Sequence, residues 1–245
     1  TSGNPQDDLG KFRFIRNLHF RNTINEFSLV GIYEWFPNTG LYYKRRRISP
    51  YAFGGLAFFH HNPEAKTPVE LGAAWIKLKP LRTEGQGGEG NPSSYANFQL
   101  AFPVGLGVRF RLNYRIDLSF EIGARYTLFD YLDDVSTNYV DPDELSSDLA
   151  RIMANRSLEN FSAFSGDSRV ASLEVLKGQL PQINFTGRDG NTYETINGFG
   201  RRGDQRGGKN SNDLYLITAF HLSYLLRVGK TESIRQKPKF RIDFN

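Results

Sequence analysis

Apolar and polar residues alternate along residues 98–128, FQLAFPVGLGVRFRLNYRIDLSFEIGARYTL. Every second position is apolar from Phe98 to Leu112 and again from Tyr114 to Ile122. A period of two predicts β-strands, because successive side chains of a strand point to opposite faces of a sheet. The stretch therefore predicts two long consecutive strands with a turn at Asn113.

The length and the polar face of these strands distinguish them from ordinary soluble strands. Soluble strands have about 5–6 residues, whereas a tilted strand needs roughly 9–11 residues to cross a bilayer. The polar face carries glycine, alanine and charged residues such as Arg109, Asp117 and Glu121. An outer-membrane barrel has this arrangement, with an apolar band toward lipid and a polar interior. A soluble sandwich with its apolar face turned inward is the alternative that the alternation leaves open.

Three further stretches alternate in the same way and predict strands over about Glu26–Phe36, Ser49–His60 and residues 213–228. The fourth strand is expected to reach Leu132, and residues 11–20, KFRFIRNLHF, predict a weaker additional strand. Long, glycine-rich connections separate some strands, whereas others are joined by short turns. Outer-membrane barrels have long loops outside the cell and short turns in the periplasm. Residues 144–156 place Leu145, Leu149 and Ile152 at helical spacing and predict a short helix within a long loop.

Composition narrows the functional classes. The chain has no run of about 18 apolar residues, so no transmembrane helix is predicted. The 245 residues contain no cysteine, which excludes a disulfide framework and thiolate metal sites. The net charge of +5 is scattered over strands, turns and loops, and no basic recognition helix or aromatic RNA-binding signature accompanies it. Nucleic acid is therefore not an expected partner.

These observations predict an all-β fold, a transmembrane antiparallel β-barrel over residues 1–228. The barrel domain includes a long extracellular loop at 133–212, and residues 229–245 form a basic periplasmic tail. Five long strands are an odd number, so we expect three more upstream of Thr1 and eight in the full barrel. Eight strands enclose only enough space for side chains, which predicts a charge network filling the lumen. Its expected members are Glu34, Arg109, Arg111, Arg115, Asp117, Glu121 and Arg125.

Four stretches carry a resemblance to a known family: RNLHFRNTINEFSL, SPYAFGGLAFFHHNPEA, GARYTLFDYLDDVSTNYVD and RRGDQRGGKNSNDLYLIT. Together they resemble the PorG-like outer-membrane barrels of the type IX secretion and gliding apparatus. The sharpest matching segment contains Arg125, Thr127, Asp130, Tyr131, Leu132, Asp133, Asp134, Val135 and Ser136. The resemblance also includes Asn62–Pro63 and the arrangement from Arg202–Gly203 to Asn212–Asp213.

The resemblance implies a structural role rather than an enzymatic one. A PorG-like barrel sits in outer-membrane lipid and anchors a periplasmic ring made of the PorK lipoprotein and a PorN-like protein. It implies neither a cofactor nor a small-molecule substrate. The basic turn KRRR, with Lys44, Arg45, Arg46 and Arg47, is the candidate contact with that partner. Two alternatives remain open for this turn: it binds anionic lipid headgroups, or it is simply a solvated turn at the periplasmic end.

Other motifs suggest chemistry only weakly. Carboxylates cluster over residues 130–144 and are candidate calcium ligands, but their spacing lacks the central glycine of an EF-hand loop. GDQRGGKN at 203–210 approaches a phosphate-binding loop, yet Asn210 replaces the required hydroxyl residue and no helix pattern follows. His221 and Ser223 are expected to face the lumen, which leaves a lipid hydrolase as a lesser alternative. A surface adhesin or receptor acting through the long loops is the first alternative.

Overall fold

The computed structural model describes residues 8–36, 46–208, 212–226 and 240–244, and within these ranges the chain is mostly β. Its strands are β1 (Asn25–Glu34), β2 (Ile48–His60), β3 (Glu64–Lys66), β4 (Trp75–Lys77), β5 (Phe98–Arg111), β6 (Ile116–Thr127), β7 (Gln182–Thr186), β8 (Thr192–Ile196), β9 (Leu214–Tyr224) and β10 (Phe240–Phe244). The α-helices are α1 (Asp8–Arg16), α2 (Asp148–Ala154) and α3 (Val170–Lys177), and short 3-10 helices lie at Val69–Leu71, Lys79–Leu81 and Pro142–Glu144.

The chain divides into two compact units. The described residues of Asn25–His60, Phe98–Leu128 and Asn212–Asn245 form the first, which we call the sheet unit. Those of Thr1–Ile24, His61–Asn97 and Phe129–Ser211 form the second, which we call the insertion unit because two of its three segments interrupt the sheet unit in the sequence.

The sheet unit is one antiparallel sheet with strand order β10-β1-β2-β5-β6-β9. Five neighbouring strands follow their order in the sequence, and each pairs with the previous one along nearly its whole length. The predicted long strands are therefore confirmed, with bounds that shift by a few residues. The fourth strand is shorter than expected, because it ends at Thr127 rather than Leu132.

The last strand of this sheet differs from the prediction. Residues 229–245 were expected to be a tail beyond the final strand, but Phe240–Phe244 form β10 and pair with β1 between Leu29 and Tyr33. An edge strand presents unpaired backbone groups, and the alternating sequence FRIDF is suited to cover them. The sheet is thereby continued by a strand from the other end of the chain.

The insertion unit has hydrophobic clusters of its own, so the segment 133–212 is not an irregular loop. One cluster consists of Ile15, Leu173, Leu176, Ile196 and Phe199. The weak strand predicted over residues 11–20 is wrong, since the chain is helical as far as Arg16. Helical geometry turns Ile15 into that cluster, where it is 1% exposed. Burial in this cluster outweighs the weak alternation of the local sequence.

The helix predicted over residues 144–156 is confirmed as α2. Ser147 caps its N-terminus, where the hydroxyl accepts a hydrogen bond from the backbone N–H of Ala150 at 3.1 Å. The buried face carries Ala150, Met153 and Ala154, whereas the predicted face included Ile152, which is exposed. Throughout the part of the chain that the structure describes, the helices are too short or too polar to span a membrane.

Candidate functional site

The outward face of the sheet is apolar and exposed to its surroundings. On β9, Leu216 is 69%, Phe220 73% and Leu222 72% exposed, although these are large hydrophobic side chains. The same face carries exposed hydrophobic residues on the neighbouring strands: Phe27, Leu29, Tyr33, Leu56, Phe58, Phe98, Leu100, Phe102, Val104, Leu106, Ile122 and Tyr126. A contiguous apolar surface of this kind marks contact with lipid or with another protein.

The opposite face of the sheet is buried and partly polar. Tyr51 and Phe59 from β2 are 1% and 0% exposed, and Ala101 from β5 is 0% exposed. The alternation in the sequence therefore gives two faces, but both contain large apolar side chains. β2 differs from the pattern of small and charged residues that residues 98–128 predict for this face, because its aromatic side chains Tyr51, Phe53 and Phe59 lie on the inner face. Gly105 and Gly123 give room to the Phe53 ring, since a Cβ there would approach its Cζ atom to 2.5 and 2.7 Å.

The connections at the two ends of the sheet differ in length. Asn25 pairs with His60 and His60 with Phe98, while Tyr126 pairs with Leu214, so the chain enters and leaves the sheet repeatedly at one end. At the other end, β5 and β6 are separated by only residues 112–115. There the side chain of Asn113 accepts hydrogen bonds from the backbone N–H groups of Arg115 and Ile116 at 2.7 and 2.9 Å, which closes a tight turn.

Ion pairs cross the inner face of the sheet. Arg109 on β5 pairs with Glu34 on β1, and both side chains are largely buried. The Arg109 guanidinium also lies 5.3 Å from the centroid of the Tyr51 ring. A buried charge requires a partner because it has lost the hydration of water. The structure therefore brings together two members of the predicted network from strands that are not neighbours in the sheet.

A second set of contacts forms around Glu26, which the sequence analysis did not single out. Arg125 on β6 lies 3.3 Å from one carboxylate oxygen of Glu26, and the hydroxyl of Tyr215 on β9 donates to the other at 2.7 Å. Glu26 shares the inward parity of Ser28 and Glu34 along β1. This parity could have predicted that Glu26 faces inward, but Glu26 lay at the predicted end of the strand.

Glu121 is the centre of a third set. The Tyr51 hydroxyl donates to its Oε1 at 2.5 Å, and the His221 ring nitrogen Nε2 lies 3.0 Å from its Oε2. Asp117 is buried and Arg111 half-buried on the same strand pair. Arg115 differs from the prediction, because it is exposed and donates to the Tyr224 hydroxyl at 3.2 Å rather than to a lumen carboxylate. The turn at Asn113 places it beyond the paired region.

Only half of the basic turn KRRR can be placed. Lys44 and Arg45 lie outside the described residues, whereas Arg46 and Arg47 are exposed. The Arg46 guanidinium lies 4.2 Å from the centroid of the Phe36 ring, and the Arg47 carbonyl accepts a hydrogen bond from the Arg111 N–H at 2.8 Å. Both residues belong to the end of the sheet where the connections are short.

The matching segment around Asp130–Asp134 belongs to the insertion unit, where it enters a buried polar network. Glu84 and Arg206 form its centre, with Arg206 Nη1 3.0 Å from Glu84 Oε1, and both side chains are 0–2% exposed. Glu84 also accepts hydrogen bonds from the backbone N–H groups of Ser136 and Thr137 at 3.0 and 2.9 Å. The hydroxyl of Tyr131 donates to Glu84 at 3.2 Å. Glu84 and Arg206 are far apart in the sequence, which hid this pairing from sequence analysis.

Asp134 is buried beside that pair. It accepts hydrogen bonds from the Thr83 hydroxyl at 2.6 Å and the Tyr95 hydroxyl at 2.8 Å. Burial raises the pKa of Asp134 to about 6, while Arg206 and the two hydroxyls act in the opposite direction. The Tyr95 ring stacks on Tyr131 with centroids 5.1 Å apart. The predicted motif residues Tyr131 and Asp134 thus hold three segments of the insertion unit together.

The other two motif residues have more local roles. Asp133 accepts a hydrogen bond from the backbone N–H of Val135 at 3.0 Å, which supports the turn after Leu132. Asp130 lies near this turn and is half-buried. Among the residues that the structure describes, no group of three or more His, Asp or Glu side chains is arranged to hold a metal ion. Glu144, a further member of the acidic cluster, instead pairs with Arg188 and Arg202.

The glycine-rich segment at 203–208 packs within the insertion unit rather than opening a phosphate site. Gly207 lies against the backbone of Ser136, where a Cβ atom would approach to 2.6 Å. The next described element is strand β9, and Lys209 and Asn210 lie outside the described residues. His221 and Ser223 give no hydrolase geometry: His221 bonds to Glu121, and no hydrogen bond joins it to a serine in the described part of the sheet.

Comparisons of this chain with protein-family models, with curated proteins and with solved structures found no match.

Proposed function

We propose that this protein is an outer-membrane β-barrel with a structural role, in which the exposed apolar face of the sheet contacts lipid. The observation that carries the proposal is the pairing of two opposite faces on the same long strands. Leu216, Phe220 and Leu222 point outward and are strongly exposed, while Glu34 and Arg109 pair on the inner face. Charge pairs inside and hydrophobic residues outside suit a hydrocarbon solvent.

Closure of this barrel involves the two outer strands of the sheet, β9 and β10. Within the described residues, each of them pairs on one side only. Each pairing from β1 through β2, β5 and β6 to β9 is antiparallel, so β9 runs in the same direction as β1. β10 is antiparallel to β1 and so runs in the opposite direction. The two edges therefore have opposite directions, as direct antiparallel pairing requires. An open edge in hydrocarbon leaves backbone groups without hydrogen bonds, which favours closure.

Site-directed labelling tests the lipid contact, because the chain has no native cysteine. Single variants Leu216→Cys and Leu222→Cys, labelled with bimane in vesicles, should be quenched by spin-labelled acyl chains. Ala219→Cys on the inner face is the matched control and should be quenched weakly. Equal quenching at all three positions, or none at any, would refute the proposed lipid-facing surface. Disulfide formation between Thr218→Cys or Phe220→Cys and Ile242→Cys tests closure in the same preparation.

Within this class, we propose that the barrel is a component of the type IX secretion apparatus and anchors a PorK/PorN-like periplasmic ring. The resemblance of the segment around Tyr131 and Asp134 to PorG-like proteins supports this role. The exposed Arg46 and Arg47 at the short-turn end suit contact with an acidic periplasmic partner. A mild-detergent pull-down should recover the ring, and charge reversal at positions 44–47 should reduce the yield.

The control for that pull-down is charge reversal at Lys177, a half-buried residue of the insertion unit whose Nζ lies 3.0 Å from Glu174 Oε1. Ring recovery that is unchanged by reversal at 44–47 would remove the docking role of this turn. Absence of any ring protein would favour the second candidate, a surface receptor or adhesin. The independent hydrophobic core of the insertion unit supports that candidate, since a folded unit can present a defined binding surface.

A further inference from the structure

The insertion unit contains a cavity of about 230 Å³ that the proposed anchoring role does not use. Most of its lining comes from three elements: the segment 139–145, helix α2 and the hairpin of β7 and β8. Its walls are largely hydrophobic and include Val140, Pro142, Leu145, Ile152, Phe185 and Tyr193. The volume suits one side chain or a similar small group rather than a drug-sized ligand.

Two aromatic rings form one wall of this cavity. The Phe185 and Tyr193 ring centroids are 5.8 Å apart with an angle of 32° between the planes, and both side chains are half-buried. The hydroxyl of Tyr193 donates to Asp189 at 2.6 Å, which fixes the orientation of its ring. Ring faces carry partial negative charge and attract a cation that lies against them.

The elements around the cavity are acidic. The segment 139–145, α2 and the β7–β8 hairpin carry six carboxylates and two guanidinium groups, namely Asp141, Asp143, Glu144, Asp148, Asp189, Glu194, Arg151 and Arg188. Glu144 pairs with Arg188 and also with Arg202, a third guanidinium beside these elements. Glu194 lines the cavity, is exposed and forms no ion pair with any residue in the described ranges. The excess of negative charge favours a positively charged occupant.

Arg151 also lines the cavity, but its charge is compensated locally. Its Nη1 lies 2.6 Å from Asp148 Oδ1, and its Nε donates to the Pro142 carbonyl at 2.9 Å. These contacts orient the guanidinium and leave its aliphatic stem available to the wall. We therefore propose that the cavity binds the lysine or arginine side chain of a polypeptide, with the alkyl stem against the hydrophobic wall and the cation against the two rings, in the negative field of the surrounding carboxylates.

Matched peptides test this assignment on the full chain in a nonionic detergent. The probes are acetyl-Gly-Lys-Gly-amide, acetyl-Gly-Arg-Gly-amide and acetyl-Gly-norleucine-Gly-amide, which keeps the alkyl chain and removes the charge. Saturation-transfer NMR should detect the two basic peptides and a several-fold weaker norleucine peptide. Butylammonium distinguishes a polypeptide ligand from a small organic cation. A site for a polypeptide should bind butylammonium more weakly than it binds the lysine peptide.

Two variants locate the binding. Phe185→Ala removes one ring, and Glu194→Gln removes the unpaired carboxylate; each should weaken binding of the basic peptides by about three- to tenfold. Glu174→Gln, on α3 and outside the cavity lining, is the control and should leave binding unchanged. Glu194 is exposed, so its variant keeps the test valid if Phe185→Ala unfolds the unit.

Several results would overturn the inference. Equal binding of the lysine and norleucine peptides would show a cavity selective only for hydrophobic groups. Equal binding of butylammonium and the lysine peptide would identify a small organic cation as the ligand instead. Absence of binding at millimolar concentration, or binding that Glu194→Gln and Phe185→Ala leave intact, would exclude this cavity. None of these outcomes depends on lipid contact or ring anchoring, so failure here is distinguishable from failure of the proposed function.

Discussion

The sheet unit and the insertion unit of this chain differ in which side chains they bury and which they expose. In the sheet unit, large hydrophobic residues such as Phe220 are mainly exposed, and ion pairs such as Glu34–Arg109 lie on the inner face. The insertion unit buries hydrophobic clusters, as around Ile15 and Leu173, like a water-soluble domain. It also buries the pair Glu84–Arg206, but surrounds it with further hydrogen bonds.

The exposed fraction of a hydrophobic side chain therefore has to be interpreted together with the solvent that surrounds it. Leu216 in the sheet unit and Val175 in the insertion unit are equally exposed, at 69% each. An isolated exposed hydrophobic residue on a soluble unit is ordinary. A continuous row of them along long strands is the pattern that the proposed lipid-facing surface requires. Four substitutions, in decreasing order of their predicted free-energy cost, test how each unit is stabilised.

Arg206→Met should have the largest effect, because it leaves Glu84 buried without its ion-pair partner. Removing one member of a buried pair costs about 3–5 kcal/mol, and the insertion unit should lose protection from hydrogen exchange around residues 131–139. Arg201→Met is the control, since Arg201 is exposed and pairs with Asp204 at 3.6 Å. Equal protection in both variants would contradict the structural role of the buried pair.

Leu216→Arg should disrupt membrane assembly, whereas Val175→Arg should be nearly neutral. An arginine on the lipid-facing surface of a barrel costs about 2–4 kcal/mol near the bilayer midplane. The measurement is the urea midpoint for folding into vesicles, compared with the unchanged chain. Since both parent residues have the same exposure, similar effects of the two variants would refute the assignment of different solvents to the two units.

Asp134→Asn should remove a pH dependence of the insertion unit. Burial raises the pKa of Asp134 in the folded state to about 6 from its ordinary value of 3.8, so the folded protein binds the proton more tightly than the unfolded chain. The contribution to stability is therefore greatest below about pH 4, falls as the pH rises to about 6, and is constant above that. The change across this window is roughly 2–3 kcal/mol.

Hydrogen exchange at pH 4.5 and 7 measures this effect in the insertion unit. The unchanged chain should become less protected at the higher pH relative to Asp134→Asn, which should show a flatter profile. Asp148→Asn is the control, because that carboxylate is 92% exposed. An identical pH profile for the unchanged chain and Asp134→Asn would mean that Asp134 titrates as an ordinary carboxylate.

Ser147→Ala should give the smallest of the four effects, a loss of about 1 kcal/mol from helix α2. The substitution removes the acceptor for the Ala150 N–H and leaves the hydrophobic contacts of α2 in place. Local hydrogen exchange of residues 148–154 reports the change. Ser172→Ala within α3 is the control without a cap bond, and it should not reduce protection in α2. The sheet unit should be unaffected in both variants.

Much of the sheet followed from the sequence, because strand periodicity is local and Phe98–Arg111 and Ile116–Thr127 alternate almost without interruption. The sequence predicted that Glu34 and Arg109 belong to one charge network, but it did not predict that they pair with each other. The partner of each residue depends on which strands lie close together in the sheet. Glu26 was missed at a strand end, and Arg115 was misplaced because the Asn113 turn removes it from the inner face. Strand β10 was missed because its pairing with β1 joins distant parts of the chain.

The long strands, the opposite character of their two faces and the short helix α2 could all be predicted from the amino-acid sequence, because each depends on the periodicity of neighbouring side chains. Long-range packing was needed to show that Ile15 is buried on a helix, that Arg206 pairs with Glu84, and that Phe185 and Tyr193 line one cavity. These contacts join residues that are distant in the sequence. Their stability comes from burial and charge pairing that exist only when the remote segments meet.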